Sequence, residues 1–455
     1  MRYLIATAIL LGACTMAAAA GDATAKSAGP VQTMRLSTGQ EVKMDFGFEI
    51  PAEYARRAAD GIEQYRKGKA TVKVVDAAGE PVPGARVRAR QTSHDFLFGC
   101  AFPSWDISKK EPNPQDWAKF EKHFVKLFNY ATTENMLKWR YLERTEGSPD
   151  YTMADNFVAW CRKHGIRIKG HTLVWGTSNG GFPDWLQKYP PEEIARKTEK
   201  RVREMVARYK GKIDIWDVIN EPLHLRWFEE KMGADYEVRA LKWAQEANPD
   251  ALLLVNEFGS QWGEADAFSK HASDLIARGA PIGAIGEQHH EPPRIATPQQ
   301  VFAMLDKLGE ARRDIHLTEI IMPSNGAQVE SELMKGNWTP ETQGRYYRYL
   351  YTLAFSHPQV RAITLWAMWD GSSWFDQGGI ISKDWTLKPA YRELDSLINR
   401  EWRTNASGRT SPTGEFDFRG FKGEYRIEVS EGGRTAKGTL RIGDAEGGEV
   451  TVRLK

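Results

Sequence analysis

Residues 213–222 read IDIWDVINEP. The run IDIWDV has the texture of a short, largely apolar strand. It ends on Asn220-Glu221-Pro222, and polar groups at the end of such a strand cost free energy unless paired. Seven further runs of this kind occur, at 96–101, 129–134, 167–175, 252–257, 283–289, 315–320 and 361–369. Helical patterns separate them at 115–127, 153–164, 191–209, 235–247, 264–278, 298–312 and 341–356, and a last one covers 388–400. Eight strands, each followed by a helix, predict an α/β fold, a (β/α)8 TIM barrel over residues 94–403. A doubly wound sheet is the alternative. Eight repeats in about 300 residues match a barrel better.

The whole chain has 455 residues, enough for two or three domains at roughly 150 residues each. Hydrophobic residues make up 41% and charged residues 27%, which excludes a disordered, collagen-like or coiled-coil chain. The 62 Lys and Arg nearly balance the 60 Asp and Glu, leaving a net charge of +2. That balance gives no sign of a nucleic-acid or anionic-membrane partner. Sixteen Trp leave room for aromatic platforms in a binding cleft.

Residues 1–20 have the pattern of an export signal: Arg2, an apolar run from Tyr3 to Met16, then Ala18-Ala19-Ala20. The run is short for a membrane span. Leu11-Gly12-Ala13-Cys14 also resembles a lipoprotein box, which makes Cys14 a candidate lipid anchor. The expected location is therefore exported: periplasmic, outer-membrane-anchored or secreted. Cys100 and Cys161 lack metal-ligand spacing and are expected to be buried thiols. No cofactor and no transmembrane span are expected, and the chain is expected to be a monomer.

Residues 21–50 read as a flexible leader. Residues 51–93 read as a helix followed by a β-hairpin cap, because two alternating runs flank Gly79, Pro81, Pro83 and Gly84. Residues 404–455 change texture, with short alternating runs between Gly-rich turns. They predict a small all-β, sandwich-like accessory module, either a spacer or a polysaccharide binder.

In a barrel the C-terminal strand ends converge on one face, where the active site lies. Here those ends carry Glu134 and Asn135, His171 and Trp175, Asn220 and Glu221, Asn256 and Glu257, Gln288 to His290, Thr318 and Glu319, and Trp366, Asp370 and Trp374. Two carboxylates across a cleft with aromatic, amide and imidazole groups suit glycoside hydrolysis. Their separation sets the outcome, about 5–5.5 Å for retention and about 6.5–9.5 Å for inversion. Glu221 and Glu319, from strands four and seven on opposite sides of the ring, are the best pair. Glu257 is a competing carboxylate, and His171, His289 and His290 together raise the question of a metal.

Seven motifs in order then complete a pattern: ENMLKW (134–139), GHTLVW (170–175), DVINEP (217–222), NE (256–257), GEQHH (286–290), HLTEI (316–320) and LWAMWDGSSW (365–374). Over about residues 70–402 the sequence resembles glycoside hydrolase family 10, the retaining endo-β-1,4-xylanases. The resemblance implies that Glu221 is the acid/base, with Asn220 bonding the sugar 2-OH, and that Glu319 is the nucleophile. It implies that Glu134, Asn135 and Lys138 bind the sugar at subsite minus two, and that His171 and Trp175 surround the minus-one sugar. His290 would orient the nucleophile, Gln288 would sit near the acid/base, and Trp366 and Trp374 would cover the minus subsites. It implies a xylan-like polysaccharide as partner and no metal. Three positions depart from the family: Gly176-Thr177-Ser178 after Trp175, Ile321 where Asp is common, and Trp369 where a small residue is common. Trp369 would narrow or re-aim the cleft. The alternatives are the same mechanism on another glycan or on aryl or oligo-glycosides, and a catalytically idle carbohydrate-binding barrel.

Overall fold

The computed structural model describes residues 29–290, 294–444 and 447–455. The export signal and Cys14 lie outside the described residues. The leader is corrected from residue 29 onward. Strands β1 (Val31–Arg35) and β2 (Glu41–Asp45) pair antiparallel, and Phe46, Phe48 and Ile50 behind them are buried. Arg345 Nε donates to Gly47 O at 2.7 Å and fastens the segment to the barrel. Three large apolar side chains in five residues contribute roughly 1.5–3 kcal/mol each on burial. That outweighs the small, polar composition before them.

Helix α1 (Ala52–Arg66) leads into β3 (Lys67–Val75) and β4 (Arg86–Gln91). The barrel follows as β5 (Leu97–Phe102), β6 (Tyr130–Thr133), β7 (Arg167–Gly170) with its extension β8 (Val174–Trp175), β9 (Ile215–Asn220), β10 (Leu252–Glu257) and β11 (Ala284–Glu287). After the short loop strand β12 (Arg294–Ile295) comes β13 (Asp314–Ile320), and after β14 (Glu330–Ser331) comes β15 (Val360–Leu365). All neighbours in the ring are parallel, and β15 pairs with β5, so the cylinder is closed. Some of the outer helices begin at side-chain caps that the sequence supplies. Asn113 accepts from Gln115 N and Asp116 N ahead of Pro114, and Thr297 with Gln300 forms a capping box ahead of Pro298.

The chain ends in β16 (Asn405–Arg409), β17 (Glu415–Phe421), β18 (Gly423–Glu431), β19 (Arg434–Ile442) and β20 (Gly448–Arg453). These strands do not stand alone. β4 lies between β16 and β18 in a four-stranded sheet, and β3 lies between β17 and β20 in a three-stranded sheet. The segments 51–93 and 404–455 therefore build one sandwich. The expected hairpin is an arch whose two strands enter opposite sheets, joined directly only by a bridge from Val75 to Pro81. The physical reason is the shared core. Val72 and Val74 on β3 pack across it with Val87 and Ala89 on β4 and with Tyr425, Ile427, Val429 and Leu440. Strands that bury their apolar sides against each other stack face to face rather than pair edge to edge.

The sandwich sits at the N-terminal end of the barrel. Lys422 N donates to Arg66 O at 2.9 Å. The buried Arg66 guanidinium donates to Val360 O at 2.8 Å and also to the carbonyls of Phe355 and His357. The opposite, C-terminal end of the barrel stays open. Cys100 and Cys161 are buried free thiols. Among the described residues no helix is long and apolar enough to cross a membrane.

Candidate active site

A cleft of about 650 Å³ opens at the C-terminal ends of the barrel strands. Every residue that the family resemblance assigns to the site lines it, and Asn179, Phe258 and Trp262 join them.

Glu319 and Glu221 share this cleft in unlike surroundings. Glu319, near the end of β13, accepts from Asn256 Nδ2 at 2.7 Å and bonds His290 Nε2 at 2.9 Å. Burial alone would raise its carboxyl. The His290 hydrogen bond and the positive charges of His171, His290 and Lys169 outweigh burial and hold it down at about 2. Glu319 is therefore an anion at any ordinary pH.

Glu221 follows β9 with φ of 57°, a left-handed conformation uncommon for a residue with a side chain. Its own N–H donates to Asn256 O at 2.8 Å and its carbonyl accepts from Leu225 N at 2.8 Å, which fixes the turn. Its Oε1 accepts from Gln288 Nε2 at 2.9 Å and Asn220 Nδ2 at 3.1 Å, and its Oε2 accepts from Trp175 Nε1 at 2.8 Å. All three donors are neutral. Asn256 ties the two carboxylates together, since its Nδ2 also donates to Asn220 Oδ1 at 2.7 Å. Thr318 Oγ1 orients that amide by donating to Asn256 Oδ1 at 2.6 Å. Gly286 is the floor of this arrangement, because a Cβ there would stand 2.3 Å from Asn256 Oδ1.

Beneath His171 lies a charge pair that is fully buried. Lys169 Nζ stands 2.7 Å from Asp217 Oδ2, and both side chains are 0% exposed. The same oxygen is 2.9 Å from His171 Nδ1. Burial raises the Asp217 carboxyl, but Lys169 and His171 overcome it and keep it ionised. Asp217 thus fixes which nitrogen of His171 faces inward, leaving the other for the cleft.

On the far side of the cleft Lys138 donates to Asn135 Oδ1 at 3.0 Å and lies over the Trp175 ring at 4.8 Å. Burial pushes the Glu134 carboxyl up to about 7 against the pull of Lys138. Trp366 and Trp374 both stand 6.0 Å from the His290 ring. Trp366 is buried, whereas Trp374 is 59% exposed and presents a free face. Also in the cleft lining, Phe258 stacks on His224 at 3.9 Å, and Trp262, 6.2 Å from Phe258, is 44% exposed.

Glu257 does not enter the cleft. It is 0% exposed and accepts from Leu223 N at 2.8 Å and Phe258 N at 2.9 Å, with His224 Nδ1 at 3.0 Å. Burial pushes it up to about 6 against those three bonds. Its work is to hold the turn that carries Glu221. His289 points away from the cleft to the Tyr346 hydroxyl at 3.1 Å. Among the described residues no three His, Cys, Asp or Glu side chains form a metal-sized group.

Comparison with known proteins agrees with this geometry. The sequence profile of glycosyl hydrolase family 10 matches residues 88–396, about two-thirds of the chain. The chain belongs to glycosyl hydrolase family 10. Among similar proteins, an anti-sigma-I factor of Acetivibrio thermocellus is 30% identical over 383 residues, 84% of this chain and 47% of that protein. Endo-1,4-beta-xylanase 1 of Arabidopsis thaliana is 28% identical over 382 residues, 83% of this chain and 38% of that one. The chain thus spans less than half the length of these two relatives. Endo-1,4-beta-xylanase B of Thermotoga neapolitana is 28% identical over 338 residues, 70% of this chain and 92% of that protein. The native xylanase 10B of Thermotoga maritima shares the fold, with a TM-score of 0.59 and 24% identity over 68% of this chain and 96% of its own.

Against the family 10 pattern, one expectation needs correction. Trp369 does not narrow the cleft. It is 6% exposed, stacks on Trp385 at 4.5 Å and donates to Lys383 O at 3.3 Å. Ile321 is buried with Trp366, Ala101 and Phe375, so it supports the Trp366 ring by packing. After Trp175, Asn179 lines the cleft wall. Asn256 and Thr318, which the sequence offered only as polar strand ends, and Asp217 and Lys169, which it did not single out, organise the family 10 site. All four lie on barrel strands within quoted motifs or runs, and their polarity in otherwise apolar stretches was the available signal.

Proposed function

We propose that this protein hydrolyses internal β-1,4 linkages of xylan or a related polysaccharide by double displacement. The observation that carries the proposal is the contrast between the two cleft carboxylates. One is held ionised among His290, His171 and Lys169, and the other sits among neutral donors. In the first step Glu319 attacks the anomeric carbon and Glu221 gives its proton to the departing glycosidic oxygen. The carbon–oxygen bond breaks as an ester to Glu319 forms. In the second step Glu221 takes a proton from water, the water oxygen attacks the same carbon, and Glu319 leaves. Two inversions return the original β configuration. Asn220 lines the cleft where it can bond the sugar 2-OH, and the buried Asn256 keeps Asn220 and Glu319 in register.

The xylan assignment draws on the names of the xylanase relatives and on Trp374, Trp366 and Trp262 in the cleft lining. The test is proton NMR of the products released from xylan, with the β-anomer expected to form first. Glu319→Ala is expected to remove turnover. Glu221→Ala is expected to spare aryl glycosides whose leaving groups need no proton. Release of the α-anomer, or full activity in either variant, would refute the assignment. The alternative reading is a catalytically idle carbohydrate-binding barrel on the same scaffold. Xylan binding with no sugar release would establish it instead. Export belongs to the proposal as well, through residues 1–20 with Cys14 as the anchor candidate. Finding the intact N-terminus in the cytosol would exclude it.

A further inference from the structure

The outward face of the four-stranded sheet is cationic, although the whole chain is nearly neutral. On β4 the exposed side chains are Arg86, Arg88 and Arg90, while Val87 and Ala89 turn into the core. The strand register extends the pattern sideways. Arg86 lies beside Arg409, and Arg90 lies beside Arg426. Lys437 and Arg441 occupy the outward side of β19. Facing these seven cations are two outward carboxylates, Glu424 and Glu428. Arg441 is paired with Glu424 at 2.8 Å and with Asp95 at 3.0 Å. Among the described residues Arg86, Arg88, Arg90, Arg426 and Lys437 make no ion pair, although Glu428 is in register with both Arg88 and Lys437. A groove of about 480 Å³ runs over this face and is lined by Arg86, Arg88, Glu428 and Lys437.

Like charges crowded on neighbouring strands repel, since cross-strand side chains lie only about 5 Å apart. An ordinary solvated surface mixes the two signs. The face therefore carries unspent attraction for an anionic partner. Three arginines spaced two residues apart span about 14 Å along one strand, a length suited to a chain of repeating anions. Guanidinium forks match planar carboxylates two bonds at a time. The face offers no aromatic platform, because the exposed large apolar side chains among the described residues are Val31, Val125, Tyr141, Trp262 and Trp374, all elsewhere. Stacking on bases or sugars and insertion into lipid are thus unsupported.

The geometry points to a binding site on this sheet for a carboxylate-bearing polysaccharide, a uronic-acid-rich glycan. It would tether the enzyme by charge from the end of the barrel opposite the cleft. The choice of a glycan over other polyanions rests on the proposed function.

The experiment measures binding of the full chain to soluble polygalacturonate, with the methyl-esterified polymer as the uncharged control. The substrate of the cleft is left out, so the binding result does not depend on xylan turnover. Binding to the acidic polymer, lost at high salt and absent for the ester, is expected. Arg86→Ser, Arg88→Ser and Arg90→Ser together should weaken it at least tenfold, the three corresponding Lys substitutions should retain most of it, and Glu428→Gln should tighten it two- to threefold. Cleavage of a short neutral xylo-oligosaccharide should be the same in all variants and wild type. Equal binding of the ester, an unchanged triple Ser variant, or binding to duplex DNA or anionic lipid vesicles but not to polygalacturonate would overturn the inference. Polygalacturonate binding without any xylan cleavage would uphold it and refute the proposed function alone.

Discussion

His290→Ala removes one arm that holds Glu319 ionised. The imidazole contributes both a hydrogen bond at 2.9 Å and a positive charge, and with His171 and Lys169 it brings the Glu319 carboxyl from the ordinary 4.5 down to about 2. A hydrogen bond to a charged group contributes about 1.5–3 kcal/mol, and 1.36 kcal/mol corresponds to about one pH unit. Losing it should move the ionisation of Glu319 upward by about one to two pH units. The sign follows from the nucleophile being active only as an anion. Activity is present above its ionisation and is lost as pH falls through it. The assay is kcat/KM for 2,4-dinitrophenyl β-xylobioside between pH 3 and 7. That leaving group needs no proton, so the acid limb reports Glu319 rather than Glu221. Wild type should stay nearly flat down to about pH 3, while His290→Ala should have lost about two- to tenfold in rate by that pH. The depressed carboxyl also stabilises the fold above the ordinary 4.5, and this contribution is lost as pH falls toward about 2. The variant should therefore lose less stability than wild type on acidification. An acid limb that does not move, within about 0.3 pH units, would refute the claim that His290 governs this charge.

Three other outcomes follow from the same contacts. Glu257→Ala strips the acceptor from Leu223 N and Phe258 N, leaving buried donors that cost about 1–3 kcal/mol each; melting should fall by several degrees, and cleavage of poor leaving groups should slow more than that of activated ones. Glu287→Gln should be neutral near pH 5 and increasingly stabilising toward pH 8, followed by thermal melts. Burial raises the Glu287 carboxyl from 4.5 to about 8, so the folded form keeps its proton longer than the unfolded form and wild-type stability falls across that window. Truncation after Arg403 takes away both neighbours of β3 and of β4. The shortened chain should aggregate on expression, as bare strand edges do, and a soluble, active product would show that the sandwich is dispensable.

The barrel was readable because each strand is buried on both faces and ends abruptly in polar residues. Both signals are local. The cleft residues were readable for the same reason, since Glu134, Asn220, Gln288 and Glu319 stand at such ends. The sandwich was not readable as one body. β3 finds its partners in β17 and β20, more than 300 residues onward, and nothing local in the β3–β4 turn distinguishes an arch from a hairpin. The hairpin of β1 and β2 was hidden by the Gly- and Ala-rich run before it. Its anchor residues Phe46, Phe48 and Ile50 fit any loop until the helix Pro340–Ser356 is brought alongside. Trp369 misled because its stacking partner Trp385 is set by a loop, and loops carry no periodic signal. Asn256 and Asp217 act through other side chains, so their roles emerge only from distances.

Incubation with an activated 2-deoxy-2-fluoro β-xylobioside followed by peptide mass mapping tests the central claim most directly. The account predicts a single fluoro-xylobiosyl ester on Glu319, formed rapidly and released slowly. No adduct, or an adduct carried by Glu221 or Glu257, would contradict it.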